Sequence, residues 1–360
     1  MKIAIVTDQP INTGIGKYAY LLYGALIEAN INAVFLYNGY KHSEFPNIKV
    51  IIPKTSGYVE NQILIPFQRK LNALSLKQYR EYFKDYIVHF CGTDYSMVKY
   101  FEKSVATVHD LRIDIPINPF ENDWARTMVD SLLRDIINIK ATGDLFFAKK
   151  IVAISNFSAQ ELKRRSNLHS DVIYHWVDEE RFKKRDKEEA KIRLNLSRKE
   201  RYVLNVSNRA KNKKLNQLKE VADFLPVGYK LLKIGTPIRS KNSINIGNVK
   251  DSAYPLYFNA SDIYLNISGY EGFGIPQLEA LGSHIPVLAR DIQINREVLG
   301  EAGHYFQQSI SSLDIVNKVI EIIENSPRSD FEEKVKERLL IYEKENSIKS
   351  YLKLYSEMYD

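Results

Sequence analysis

A chain of 360 residues with 51 Lys+Arg against 44 Asp+Glu carries a formal net charge of +7, and its 44% hydrophobic and 26% charged residues fit a globular protein of about two domains. The single cysteine, Cys91, excludes an intrachain disulfide and fits a reducing compartment, and seven scattered histidines show no zinc spacing, so no metal site is expected. No apolar run reaches the roughly 18 residues of a membrane span, and the start, Met1 to Asp8, turns acidic too soon for a signal peptide.

The chain instead opens on a strand, Ile3–Thr7, followed by Gln9-Pro10-Ile11-Asn12-Thr13-Gly14-Ile15-Gly16-Lys17-Tyr18-Ala19. Gly14 to Ala19 fits G-x-G-x-x-A, the dinucleotide fingerprint, but the strand ends about six residues too early for that turn. The next strand, Ala33–Tyr37, also closes without the Asp or Glu a ribose would need. Gly14 and Gly16 then form either a flexible loop that lets backbone approach a ligand, or the plain start of a helix over Ile15–Ala29. In that helix Tyr18, Leu21, Leu22, Ala25 and Leu26 share a face. A strand at Val50–Ile52 and a helix at Pro66–Tyr86 come next. The helix carries Arg69, Lys70, Lys77, Arg80 and Lys84, which suits an anionic membrane surface or plain solvent alike.

Strands follow at Ile87–Phe90 and Ala106–Val108, the second running into Thr107-Val108-His109-Asp110-Leu111. His109 thus sits at a strand's carboxyl end, where an imidazole can hydrogen-bond a ligand hydroxyl. Asp110 either joins it or caps the next segment. A helix over Asp123–Ala148, a strand at Ile151–Ile154, a helix at Ser158–Arg165 capped by Ser155 or Asn156, and a strand at Val172–Ile173 complete the first series. The charged stretch between Asp178 and Arg201 has no strand signal and marks the domain boundary. Basic residues concentrate from Lys163 to Lys219, but acidic ones interleave, as at Asp178-Glu179-Glu180, so most are solvated faces. No nucleic-acid-binding motif accompanies them.

The second series starts with the strand Tyr202–Val206 and the turn Ser207-Asn208-Arg209-Ala210-Lys211-Asn212-Lys213-Lys214, feeding a helix over Leu215–Leu225. A strand at Lys230–Ile234 precedes the most specific segment: a buried strand, Ile263–Ile267, then Ser268-Gly269-Tyr270-Glu271-Gly272-Phe273-Gly274-Ile275-Pro276-Gln277-Leu278-Glu279. Pro276 suits a first helical turn. A glycine turn between a strand and a helix N-terminus is an anion site, because free N–H groups and the helix dipole point at the ligand. Glu279, about one turn into the helix, can accept from a vicinal diol, so phosphate at Gly274 and Ile275 with ribose at Glu279 makes a nucleotide site. A strand at Val287–Ala289 and helices at Leu313–Asn325 and Asp330–Glu343 finish the chain. Alternating strands and helices predict α/β architecture with parallel sheets.

Glu271 and Glu279 around Gly-Phe-Gly-Ile-Pro resemble the E-x7-E signature of retaining glycosyltransferases with the GT-B fold, and specifically glycosyltransferase family 4; Ile285 to Asp291 and Glu297 to Gly303 continue the pattern. The resemblance implies two doubly wound Rossmann-like domains facing across a cleft: residues 1–178 on the acceptor side, completed by a C-terminal helix over 347–360, and residues 179–346 binding the donor. It implies that Glu279 holds the ribose, that Lys213 and Arg209 with the backbone of Gly272, Phe273, Gly274 and Ile275 hold the diphosphate, and that Glu271 meets the transferred sugar. Arg209 sits one residue past the usual place, which Asn208 occupies. Val-His-Asp-Leu matches a family motif that assigns His109, seconded by Asp110, to the sugar, and the Gly14/Gly16 segment lies near the phosphates in relatives. Ile173 to Asp178 stands where relatives read Pro-Asn-Gly-Val-Asp, and only Val177, Asp178 and Phe182 agree. The implied activity is transfer of a hexose from a GDP-mannose- or UDP-glucose-type donor to a hydroxyl acceptor, without metal or other cofactor. The implied setting is cytoplasmic, with peripheral membrane contact open. A nucleotide-sugar epimerase or hydrolase, and a non-catalytic binding protein, are the alternatives; nucleic acid is not expected as a partner.

Overall fold

The computed structural model describes residues 1–9, 11, 13–37, 77, 79–111, 143–325 and 328–359. The predicted strand Val50–Ile52, most of the predicted helix Pro66–Tyr86 and the bulk of Asp123–Ala148 lie outside these residues. The described end of the Pro66–Tyr86 segment, 79–85, is a run of turns, and 144–147 is a short 3₁₀ turn.

Contacts divide the chain into two compact units. The first is Met1–Tyr174 with the C-terminal residues from Glu345 on, and the second is His175–Lys344. The first unit contains β1 (Lys2–Thr7), α1 (Gly14–Glu28), β2 (Asn32–Tyr37), β3 (Tyr86–Phe90), β4 (Ser104–Val108), β5 (Lys150–Ala153), α2 (Asn156–Ser166) and β6 (Asp171–Val172). Its six strands pair in parallel in the order β2-β1-β3-β4-β5-β6. β1 is buried from Ile3 to Thr7, on both faces, as a parallel sheet covered by helices requires. The last helix of the chain also belongs here, and its Tyr351 and Tyr355 are fully buried. Tyr351 hydroxyl bonds Tyr18 hydroxyl, and Tyr355 hydroxyl meets His89 Nδ1 at 2.6 Å.

The second unit contains α3 (Lys187–Arg193), β7 (Arg201–Ser207), α4 (Leu215–Phe224), β8 (Tyr229–Gly235), β9 (Ser243–Gly247), α5 (Tyr254–Ala260), β10 (Ile263–Asn266), α6 (Ile275–Gly282), β11 (Val287–Arg290), α7 (Gln293–Leu299), β12 (Gly303–Phe306), α8 (Ser312–Asn325) and α9 (Arg328–Ile341); α10 (Lys344–Tyr359) is the helix that returns to the first unit. The second sheet runs β12-β11-β10-β7-β8-β9, again all parallel. The two doubly wound sheets confirm the predicted fold class. Strands β9 and β12 carry no apolar run in the sequence because they are edge strands, half-exposed over most of their length, with Phe306 at the end of β12 the buried exception. The core of this unit packs Val203, Leu231, Leu265 and Leu288 of the sheet against Leu218, Val221 and Ala222 of α4 and Ile315, Val316 and Val319 of α8.

Candidate functional site

In an open parallel sheet a ligand crevice forms outside the carboxyl ends of the two strands where the order reverses. In the second unit those strands are β7 and β10, which pair with each other while their successors run to opposite edges. Arg209 and Lys213 follow β7, and Glu271 to Ile275 follow β10.

The β7 turn is built from short polar side chains. Asn205 Nδ2 donates to Leu265 O at 2.9 Å, tying the strand ends together, and Asn205 Oδ1 accepts from Ser207 Oγ at 2.7 Å. Asn208 Oδ1 accepts from Ala210 N at 3.0 Å, an Asx turn, and a 3₁₀ turn over Lys211–Lys213 follows. Lys213 Nζ donates to Glu271 Oε1 at 2.6 Å and Oε2 at 2.8 Å, and the two side chains are only 18% and 12% exposed. Arg209, Lys211 and Lys214 are exposed. Asn212, the uncharged residue in that lysine run, is buried: its Nδ2 donates to Tyr270 O at 2.7 Å and its carbonyl accepts from Gly269 N at 2.8 Å. It stitches the two turns together, and its departure from the surrounding charge was the one sequence signal for that role.

The β10 turn is fixed from below. Gly274 adopts φ +91° and caps α6 without a side-chain bond, and a Cβ there would lie 2.4 Å from Gln277 Nε2. Gln277 is fully buried. Its Nε2 donates to Asn295 Oδ1 at 3.1 Å and Phe273 O at 3.3 Å, while its Oε1 accepts from Asn266 Nδ2 at 2.9 Å. Asn266 Oδ1 in turn accepts from Ser268 N at 3.0 Å. This buried amide relay holds both ends of the turn, so the positive end of the α6 dipole stays at Gly274 and Ile275. Gly272 is partly exposed. Phe273 turns inward between His175 and Tyr342, at ring separations of 5.1 and 5.6 Å, so only its backbone is available to a ligand.

Glu279 lies one turn into α6 and is 4% exposed, and its Oε2 accepts from the Tyr254 hydroxyl at 2.8 Å. Burial, and then the nearby Glu279 charge, hold the Tyr254 phenol well above its ordinary range, so it stays a donor. Arg181 grips the Asp251 carboxylate with its two terminal guanidinium nitrogens, at 2.6 and 2.5 Å. Tyr254 and Arg181 could not be singled out in sequence, because what gives Tyr254 its role is a contact between separate helices, α5 and α6.

In the first unit the order reverses between β1 and β3. Asp8 stands at the end of β1: Oδ1 accepts from Thr93 N at 2.8 Å, and Oδ2 accepts from Thr93 Oγ1 and Gln9 Nε2, each at 2.9 Å. Gly14 and Gly16 form the first turn of α1 rather than a loop before it, with Thr13 Oγ1 accepting from Gly16 N at 3.2 Å. His109 follows β4, is 5% exposed and meets the Tyr18 ring edge-on at 4.9 Å. Burial pushes its imidazole down to about 3, so it is neutral at physiological pH and can both donate and accept. Asp110 is half-buried beside it. Among the described residues no cluster of His, Cys, Asp or Glu is placed to hold a metal, and no helix is long and apolar enough to cross a membrane.

Residues 238–338 match the family model of glycosyl transferases group 1, a stretch that includes Glu271, Gly274 and Glu279. Over 346 residues the chain is 27% identical to O-antigen chain mannosyltransferase B of Escherichia coli, covering 84% of this chain and 86% of that protein. Its fold is similar to sucrose-phosphate synthase of Thermosynechococcus elongatus, with a TM-score of 0.77 at 17% identity and coverage of 100% and 99%. It is also similar to Anabaena HepE solved with UDP-glucose, with a TM-score of 0.69 at 15% identity and coverage of 99% and 98%. With two doubly wound sheets, the matched segment on the β10 turn and a relative of nearly full length in agreement, the chain is a glycosyltransferase of the GT-B fold.

Proposed function

We propose that this chain is a retaining glycosyltransferase of family 4, moving a hexose from a nucleoside-diphosphate sugar to a hydroxyl on a glycan or lipid-linked acceptor. The observation that carries the reading is the Lys213–Glu271 pair where β7 and β10 diverge, next to the uncapped start of α6. A nucleoside diphosphate leaves as an anion, and its departure must be met by fixed positive charge. Lys213, Arg209 and the N–H groups at Gly274 and Ile275 supply that charge without a metal. Glu271 pairs with Lys213. An arriving diphosphate competes for the ammonium and frees the Glu271 carboxylate for the transferred sugar, where positive charge develops at the anomeric carbon. Glu279, steadied by Tyr254, accepts from the ribose hydroxyls. His109, held neutral, serves a sugar hydroxyl.

The likeness to a mannosyltransferase makes GDP-mannose the first donor to test, and the UDP-glucose complex of HepE makes UDP-glucose the second. We place the reaction in the cytoplasm, with peripheral membrane contact where the acceptor is lipid-linked; flotation with anionic vesicles tests that contact. The deciding experiment is turnover by Lys213→Ala and Glu279→Ala. Both are expected to keep a folded circular-dichroism spectrum and lose transfer, and wild-type turnover by both would sink the site assignment. Proton NMR of the product from an α-linked donor distinguishes retention from inversion.

A further inference from the structure

Lys233 on β8 is a buried lysine with no acid to match it. The residue is 0% exposed, and its Nζ donates to Ser207 O at 2.7 Å and Ile234 O at 2.6 Å. Among the described residues no carboxylate forms an ion pair with it. Its strand partners in register are Asn205 on β7 and Asn245 on β9, both uncharged, and the charge that faces it is a like one, Lys213 on the β7 turn. Gly235, with φ +88°, draws the end of β8 against the β7 turn: a Cβ there would stand 2.5 Å from Ser207 O, which also accepts from Thr236 N at 3.0 Å. Lys233 is therefore pinned directly beneath the turn that carries Arg209 and Lys213.

A neutral amine has two N–H donors and an ammonium three. Two carbonyls match the neutral form, and a buried ammonium without a counter-ion is costly. Burial, and then the Lys213 charge, push the Lys233 ammonium down to about 7. Lys213 is already paired with Glu271, so an anion arriving over the β7 turn acts on the larger pressure, supplying the negative charge that the buried Lys233 ammonium lacks.

We propose that Lys233 is a third cation of the diphosphate subsite, acting from beneath the β7 turn, and that binding of the nucleotide sugar draws one proton from solvent onto its Nζ. The inference rests on the donor reading above. In the balance, the Nζ lone pair takes a proton from buffer as the diphosphate binds and returns it as the diphosphate leaves. Lys233 is a positioning and charge-compensating residue and forms no bond to the sugar.

The test is isothermal titration of GDP-mannose and UDP-glucose at pH 8 in buffers of different ionisation enthalpy. Their diphosphate diesters carry no phosphate group that titrates near neutrality. Wild type should take up close to one proton per nucleotide sugar, and its Kd should rise above pH 7 by at most about tenfold per pH unit, the limit for a single linked proton. Lys233→Met should bind more weakly at pH 7 and show neither the uptake nor the pH slope. If that variant does not fold, the wild-type Lys233 side chain can be followed by NMR with 13C-labelled lysine, and its midpoint should rise by about two pH units or more on saturation. Wild type that binds no nucleotide sugar overturns the donor reading, and this inference with it. Binding without proton uptake, equal uptake by Lys233→Met, or an unmoved midpoint overturns this inference alone.

Discussion

Gly274→Ala puts the construction of the β10 turn to a quantitative test. Two independent costs follow from the geometry. A side chain at φ +91° sits in the left-handed region, worth about 1–2 kcal/mol. The new Cβ would also fall 2.4 Å from Gln277 Nε2 and 2.8 Å from Cδ, so the buried amide must leave its place. That breaks its bonds to Asn295 and Phe273 and strands buried partners, adding about 1–3 kcal/mol. Gly274→Ala should therefore destabilise the second unit by about 2–5 kcal/mol. In a Gln277→Ala background the clash is gone, and the same substitution should cost only the backbone part, about 1–2 kcal/mol. Urea unfolding measures the cycle. Trp176 is buried in the second unit, and in a Trp124→Phe background it is the sole tryptophan, so its fluorescence reports that unit. A coupling of about 1–3 kcal/mol between the two positions is the expected outcome. Equal costs in both backgrounds would refute the steric link between Gly274 and the amide relay.

Four further outcomes are expected. Tyr254→Phe removes a donor to the buried Glu279 carboxylate and should lower stability by about 1.5–3 kcal/mol while raising the donor KM; unchanged melting and KM would deny Tyr254 its role. Acidification should weaken the first unit. His89 and His109 are both pushed by burial down to about 3, below the unfolded value near 6.5, so neither costs anything above pH 6.5. Each then takes away up to about 1.4 kcal/mol per pH unit as pH falls from 6.5 toward 3, and His89→Gln should flatten the slope of thermal stability against pH. Deleting the residues after Lys344 strips Ile348, Tyr351, Leu354, Tyr355 and Met358 from the first unit. At about 1.5–3 kcal/mol each this rivals a whole domain's stability, so limited proteolysis should digest the first unit of that truncation while sparing the second. Finally, EDTA should leave nucleotide-sugar turnover unchanged; loss restored by a divalent cation would contradict charge compensation by Lys213 and Arg209.

The sequence made the central strands legible because parallel strands buried on both faces are continuous apolar runs, as at Ile3–Thr7 and Ile263–Ile267. Edge strands β9 and β12 escaped, since half-exposed pairing leaves little apolar signal. Glu271, Gly274 and Glu279 stand out as a candidate site because a strand, a glycine turn and a helix start lie contiguous in the chain, whereas Lys213, in a turn without glycine, is picked out by the family resemblance alone. Their supports could not be singled out. Tyr254 reaches Glu279 across 25 positions, Asn295 reaches Gln277 across 18, and Lys233 reaches Ser207 across 26. Those relations are set by sheet order. Gly14 and Gly16 show the converse: a matching motif without its strand-turn context proves to be the first turn of α1, capped by Thr13.

The return of α10 to the first unit has a consequence for how the polypeptide is made. The pocket that takes Tyr351 and Tyr355 is formed by residues such as Tyr18 and His89, synthesised long before the helix that fills it. Tyr174 and Tyr351 are separated by 177 positions, most of them the second unit, so at about 5–20 residues per second the first sheet waits about 10–35 s on the ribosome with its tyrosine pocket open. The second unit, continuous in sequence from His175 to Lys344, can close first. The nascent first sheet is therefore exposed to off-pathway contacts for that interval, and translational pausing ahead of Tyr351 would lengthen it.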